Sequence, residues 1–154
     1  MSAADNRSVD FSFRLTGSGW AEARIADDAS FVKMTVSYLT DALGDLLTAL
    51  AALKRGDSET EQFSWDGEPE EYRWRLDRDG DDVVVTILWF FDIYRPQHDQ
   101  AGRLVFTTRQ PLAELVRVVS AGASQLLDEV GEEGYRERWV EHPFPTAALA
   151  ELSS

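Results

Sequence analysis

Between residues 57 and 71 the chain places seven carboxylates, Asp57, Glu59, Glu61, Asp66, Glu68, Glu70 and Glu71, and no basic residue. Carboxylates at this density build a negative field that steers a cationic partner and selects against wrong ones. Phe63 and Trp65 alternate within the segment, which predicts a strand through its middle. Asp57, Glu59, Glu68, Glu70 and Glu71 then fall in the turns at the strand's two ends. This segment is the expected contact for a basic partner protein, with Trp65 or a neighbouring aromatic as the anchor. The plainer alternative is that these charges keep an edge strand from pairing with other chains.

The other residues with chemical capacity form weaker patterns. Residues 94–102, YRPQHDQAG, make a connection longer than an ordinary hairpin loop and carry Tyr94, Arg95, His98 and Asp99. One His–Asp neighbour pair is neither a triad nor a metal site, so these four stand as a loop candidate only. Asp77, Asp79 and Asp81 begin like a calcium loop, but Gly80 precedes the third aspartate and Leu88 stands where a bidentate glutamate belongs. They read as a polar turn. Gly17 and Gly19 lack the third glycine and the following helix of a dinucleotide loop. The chain has no cysteine and only two histidines, His98 and His142. No catalytic residue, cofactor or metal is therefore assigned.

The elements that must position these residues follow from periodicity. Residues 83–94, VVVTILWFFDIY, are β-branched and aromatic and apolar on both alternating faces of their first eight residues, which predicts a strand interior to a sheet. Alternation predicts further strands over 9–15, 20–26, 31–36, 72–76 and 103–107. Gly17-Ser18-Gly19, Asp27-Asp28 and Asp79-Gly80 supply turns. A first helix is expected over 38–55, with Leu39, Leu43, Leu46, Leu47, Leu50 and Leu53 as its buried stripe, Ser37 or Thr40 as cap and Gly56 as stop. A second is expected over 112–130, ended by Gly131. The fold class is α+β: an antiparallel sheet of about six to seven strands in βββα-ββββα order, with two long amphipathic helices on one face. Trp139 and Phe144 are expected to anchor the tail, and 146–152 to form a short helix.

At 154 residues the chain reads as a single domain over 1–154, with 1–7 frayed and 132–154 a C-terminal tail with short helices. The net charge of −13 argues against nucleic acid and against an anionic membrane surface. The first ten residues lack a signal-peptide core, and no apolar run approaches the ~20 residues of a membrane span. A cytoplasmic protein is the default expectation. If the second sheet face were bare, a symmetric homodimer through it would be the expected remedy.

Trp65-Asp66-Gly67, Tyr72-Arg73-Trp74, the VVVTILWFF strand and the closing run Gly134-Tyr135, Trp139 and His142-Pro143-Phe144-Pro145 resemble small acidic α+β proteins of high-GC bacteria, some of them immunity-like. The scarcity of lysine, with only Lys33 and Lys54, agrees with such an origin. The resemblance implies a non-catalytic, protein-binding role and carries over no functional residue. The alternative is a small-molecule binder with an aromatic-lined pocket between sheet and helices, built from residues such as Trp20, Trp74 and Trp89. An enzyme using the His98 loop is the third reading.

Overall fold

The computed structural model describes residues 8–92, 97–140 and 142–154. Seven strands and three helices follow in βββα-ββββα order, with a short helix at the end, and every strand pair is antiparallel. The strands are β1 (Asp10–Gly17), β2 (Trp20–Ala26), β3 (Phe31–Ser37), β4 (Thr60–Asp66), β5 (Glu71–Asp79), β6 (Asp82–Phe90) and β7 (Arg103–Pro111). The helices are α1 (Ala42–Arg55), α2 (Leu112–Trp139) and α3 (Thr146–Leu152). The class is α+β as the periodicity predicts.

The strands are divided between two sheets, β1-β2-β3 and β4-β5-β6-β7. α1 separates β3 from β4 in sequence, and the two strands do not pair. They meet where Gly67 passes the Thr35 carbonyl so closely that a Cβ would lie 2.9 Å from that oxygen. One hydrophobic core joins the two inner faces and the helical stripes. Phe11, Phe13, Ile25, Met34 and Val36 come from the first sheet and Trp65, Trp74, Leu76, Val85 and Ile87 from the second. α2 lies mainly against β1, and α1 against β4 and α3. Both long helices thus bury their stripes in the same core, which satisfies two amphipathic surfaces with one apolar volume.

β6 lies between β5 and β7 in the interior of its sheet, and Val83, Val85 and Ile87 are fully buried. Its other face is not bare. Val84, Thr86 and Leu88 are half-buried between Asp77 and Arg109, Arg75 and Thr107, and Arg73 and Leu104. Arginine stems cover apolar surface while their heads stay polar, so this face has its own cover. The strand ends at Phe90, four residues short of the expected limit. Its register with β7 slips between Ile87 and Leu88, leaving Val105 unpaired. Trp89, near the end of the strand, is half-buried against the core, while Phe90 is buried on the outer face.

Two helix boundaries also differ from expectation. α1 begins at Ala42, because the Tyr38 amide is still held by the Gly19 carbonyl at 3.0 Å and belongs to the sheet. Leu39 is therefore exposed and lies off the leucine stripe. Gly131 does interrupt α2, with φ 74° and ψ 168°, but the helix resumes to Trp139. Tyr135 and Trp139, one turn apart and fully buried, draw this second segment back onto the core. Trp139 meets Phe13 edge-on at 5.9 Å, and Tyr135 meets Phe144 at 5.2 Å.

Candidate functional site

The acidic segment is split by its own strand. β4 has seven residues, so its ends lie about 20 Å apart. At the first end, Asp57 accepts from Arg55 Nε at 2.8 Å and Glu61 accepts from Ser58 Oγ at 2.6 Å. Glu59 is exposed, and its carbonyl holds the Arg78 amide. At the other end are Asp66, Glu68, Glu70 and Glu71. Glu71 departs from the expected free carboxylate. It accepts from Arg73 Nε at 2.9 Å and from Ser64 Oγ at 2.5 Å, and its side chain is only 14% exposed. The segment lacks basic residues, but its flanks supply Arg55 and Arg73.

Arg73 also organises the loop candidate. It donates to Asp99 Oδ1 at 2.8 Å and to the Gln97 carbonyl at 2.9 Å, and it stacks 4.1 Å over the Phe90 ring. The Asp99 carboxylate is thereby engaged by arginine, and His98 beside it is exposed. Tyr94 and Arg95 lie outside the described residues. The three tryptophans considered for an aromatic pocket are in three different places. Trp74 is buried against Phe63 and Trp65, Trp89 is half-buried beside Phe91, and Trp20 is on the surface. Among the described residues no group of three or more His, Cys, Asp or Glu side chains could hold a metal ion. No helix among them is long and apolar enough to cross a membrane.

The second end of β4 opens onto a pole where five parts of the chain meet. Gly67 passes Thr35 of β3, and the Asp66 amide reaches Thr40 Oγ1 at 3.4 Å. The Gly19 amide donates to the Arg138 carbonyl at 2.5 Å, fixing the β1–β2 hairpin to the end of α2. His142 Nε2 lies 3.0 Å from the Tyr38 carbonyl, which can only accept, so that nitrogen carries the proton. Beneath them Trp65 Nε1 donates to the Ala42 carbonyl at 2.8 Å.

This pole gathers features that elsewhere occur singly. Three aspartates here have pKa values raised above the ordinary one. Burial raises Asp41, against the pull of His142 and the Gly44 amide. Burial and then Asp41 raise Asp45, and burial with Glu71 and Glu68 raises Asp66. The phenols follow the same logic: burial and then Glu70 raise Tyr72, and burial and then Asp41 raise Tyr135 far above the usual range. Asp41 Oδ1, Tyr135 Oη and Trp139 Nε1 are buried without hydrogen-bond partners among the described residues. Glu68 and Val140 carry the two positive φ values found outside glycine there, 44° and 63°. Perturbed acids and backbone strain both concentrate at functional sites. Around them the pole exposes Trp20 at 36%, Leu39 at 45% and Val140 at 52%.

Half-buried carboxylates gain from an incoming cation, because it offsets their desolvation and mutual repulsion. Exposed apolar side chains beside them supply the contact area. Asp41 and Asp45, four apart on one helix face, were legible as a pair in sequence, whereas their coupling to His142 and Tyr135 arises only on folding. No family model, no curated protein and no solved structure matches the chain.

Proposed function

We propose that the chain is a non-catalytic protein-binding module that receives a basic partner on this pole, as its immunity-like features imply. The observation that carries the reading is that the Gly19–Arg138, Tyr38–Gly19 and Asp66–Thr40 hydrogen bonds bring the segments bearing exposed Trp20, Leu39 and Val140 to the turn that bears Asp66, Glu68 and Glu70. An apolar centre with a charged rim is the usual anatomy of a protein interface. Trp20 is the anchor, a residue type enriched among those that dominate binding energy. Glu68 and Glu70 steer encounter, and Asp41, Asp45 and Asp66 favour a bound cation. Asp57, Glu59 and Glu61, at the far end of β4, lie outside the contact.

The test compares two immobilised baits in extracts of the native organism at low and high salt. One is the unaltered chain and the other carries Trp20→Ala, Glu68→Gln and Glu70→Gln. A basic protein retained by the first and lost by the second is the expected result. With the partner in hand, the two Gln substitutions alone should slow association several-fold and flatten its salt dependence, while Trp20→Ala should speed dissociation. Identical captures by both baits would sink the reading.

A further inference from the structure

The end of the β5–β6 ladder has two faces, and one of them already holds an arginine. On the outer face Phe90 stands opposite Glu71, the last pair of the ladder. Arg73 lies 4.1 Å over the Phe90 ring, and its Nε and Nη2 reach the two Glu71 oxygens at 2.9 and 3.3 Å. Ring and carboxylate together hold one guanidinium, the ring by its face and the acid by a forked pair of hydrogen bonds.

Side chains alternate along both strands, so the next residues, Phe91 and Glu70, belong to the opposite face. Phe91 meets Trp89 edge-on, with ring centroids 6.3 Å apart and planes at 75°. Trp89 stands opposite Tyr72, whose phenol is raised by burial and then by Glu70. Phe91, Trp89, Tyr72 and Glu70 thus repeat the ring and carboxylate of the outer face, without the arginine. Phe91 is 70% exposed. Among the described residues Glu70 has no ion-pair partner, and the rings with a guanidinium over them are Phe31 and Phe90. Arg103 stands opposite Trp89 on β7, on the far side of β6 from Glu70. A planar guanidinium can stack on an exposed ring while its N–H groups bond a carboxylate, whereas a lysine ammonium offers only a compact charge.

We infer that this cluster receives an arginine side chain of the basic partner, with the guanidinium against Phe91 and Trp89 and its N–H groups donating to Glu70. The inference rests on the reading of the pole as the docking surface, and it names the side chain that Glu70 meets.

The probe is the blocked peptide acetyl-Gly-Arg-Gly-amide, titrated into the whole chain at low salt and followed by the assigned Phe91 ring and Trp89 indole resonances. The controls carry lysine, or citrulline, which keeps the planar head without the charge. The arginine peptide should shift both residues saturably, binding roughly threefold more tightly than the lysine peptide and about tenfold more tightly than the citrulline peptide. Phe91→Leu removes the ring and keeps apolar bulk. It should weaken the arginine peptide several-fold at an unchanged unfolding midpoint, because the side chain is mostly exposed. Glu70→Gln should weaken it to a similar degree. The inference is overturned if Phe91 and Trp89 do not shift, if the citrulline peptide binds as tightly, or if neither variant weakens binding. The two readings fail separately. A basic partner that is lost on the triple-substituted bait but held fully by Phe91→Leu keeps the pole and removes this site. Saturable arginine binding here, with identical captures by both baits, keeps this site and removes the pole.

Discussion

The outer face of β4–β7 and the pole at the end of β4 handle carboxylates in opposite ways. On the outer face the carboxylates of β5 and β6, and Asp99 beside them, have an arginine within hydrogen-bonding distance. Arg73 holds Glu71 and Asp99, Arg75 holds Asp77, and Arg109 holds Asp79 and Asp82. At the pole, Asp41, Asp45 and Asp66 are partly withdrawn from water among other acids, and all three are pushed up in pKa by burial. The first arrangement satisfies itself. It orders a loop, covers a sheet face and has little left to offer a partner. The second costs the isolated protein stability, and that cost can be recovered when a cation binds. Charge density alone does not separate the two regions, since both are acidic in sequence. The placing of arginines on the same sheet face does.

The largest expected effect tests the scaffold under the pole. Trp65 is fully buried, packs against Phe13 and Trp74, and holds the first residue of α1. Trp65→Ala should cost about 3–5 kcal/mol in urea unfolding. Trp89→Ala, at the half-buried end of β6, should cost only about 1–2 kcal/mol because less area returns to water. Equal costs would mean that Trp89 is as fully withdrawn from water as Trp65. The next effect tests the paired face. Arg73→Ala leaves Glu71, 14% exposed, without its partner and releases Asp99 and Gln97. A loss of about 2–3 kcal/mol is expected, below the full value for a buried pair because water reaches part of the site. Faster amide exchange over residues 97–102 should accompany it. A loss under about 0.5 kcal/mol would place Arg73 among ordinary surface pairs.

Much of this fold was legible as alternation and leucine spacing, because those patterns follow directly from strand and helix periods. What escaped depended on where backbone groups find partners. Leu39 fits the α1 stripe by spacing, yet the Tyr38 amide is committed to Gly19 and delays the helix. Trp89 alternates correctly, yet it lies one residue from the end of β6 and is only half-buried. Gly131 marks a helix stop in sequence and acts as a swivel in the fold, because Tyr135 and Trp139 beyond it have core to bury against. The site divides likewise. The acidic run is plain in sequence, and Arg73, two residues from Glu71, shares its strand face by simple alternation. The meeting of Asp41 with His142 and Tyr135, about a hundred positions away, has no local signal.

The smallest expected effect is the most diagnostic of the pole, because stability and binding should respond to pH with opposite signs. Asp41, Asp45 and Asp66 have folded-state pKa values above the ordinary 3.8. Between that value and the raised ones the folded state holds more protons than the unfolded state. Their contribution to stability is therefore complete below 3.8 and is lost as pH rises through the raised values. Glu114, lowered by its hydrogen bond to Arg117, works the other way: its contribution is present above the ordinary 4.5 and is lost as pH falls through its lowered value. Urea midpoints should thus rise modestly on acidification from pH 7 through the raised values, before Glu114 protonates and opposes the trend. Asp66→Asn should flatten that rise. A basic partner binds the ionised carboxylates, so its affinity should fall over the same interval in which the free protein gains stability. If affinity and stability instead rise or fall together there, Asp41, Asp45 and Asp66 are not the groups that meet the partner.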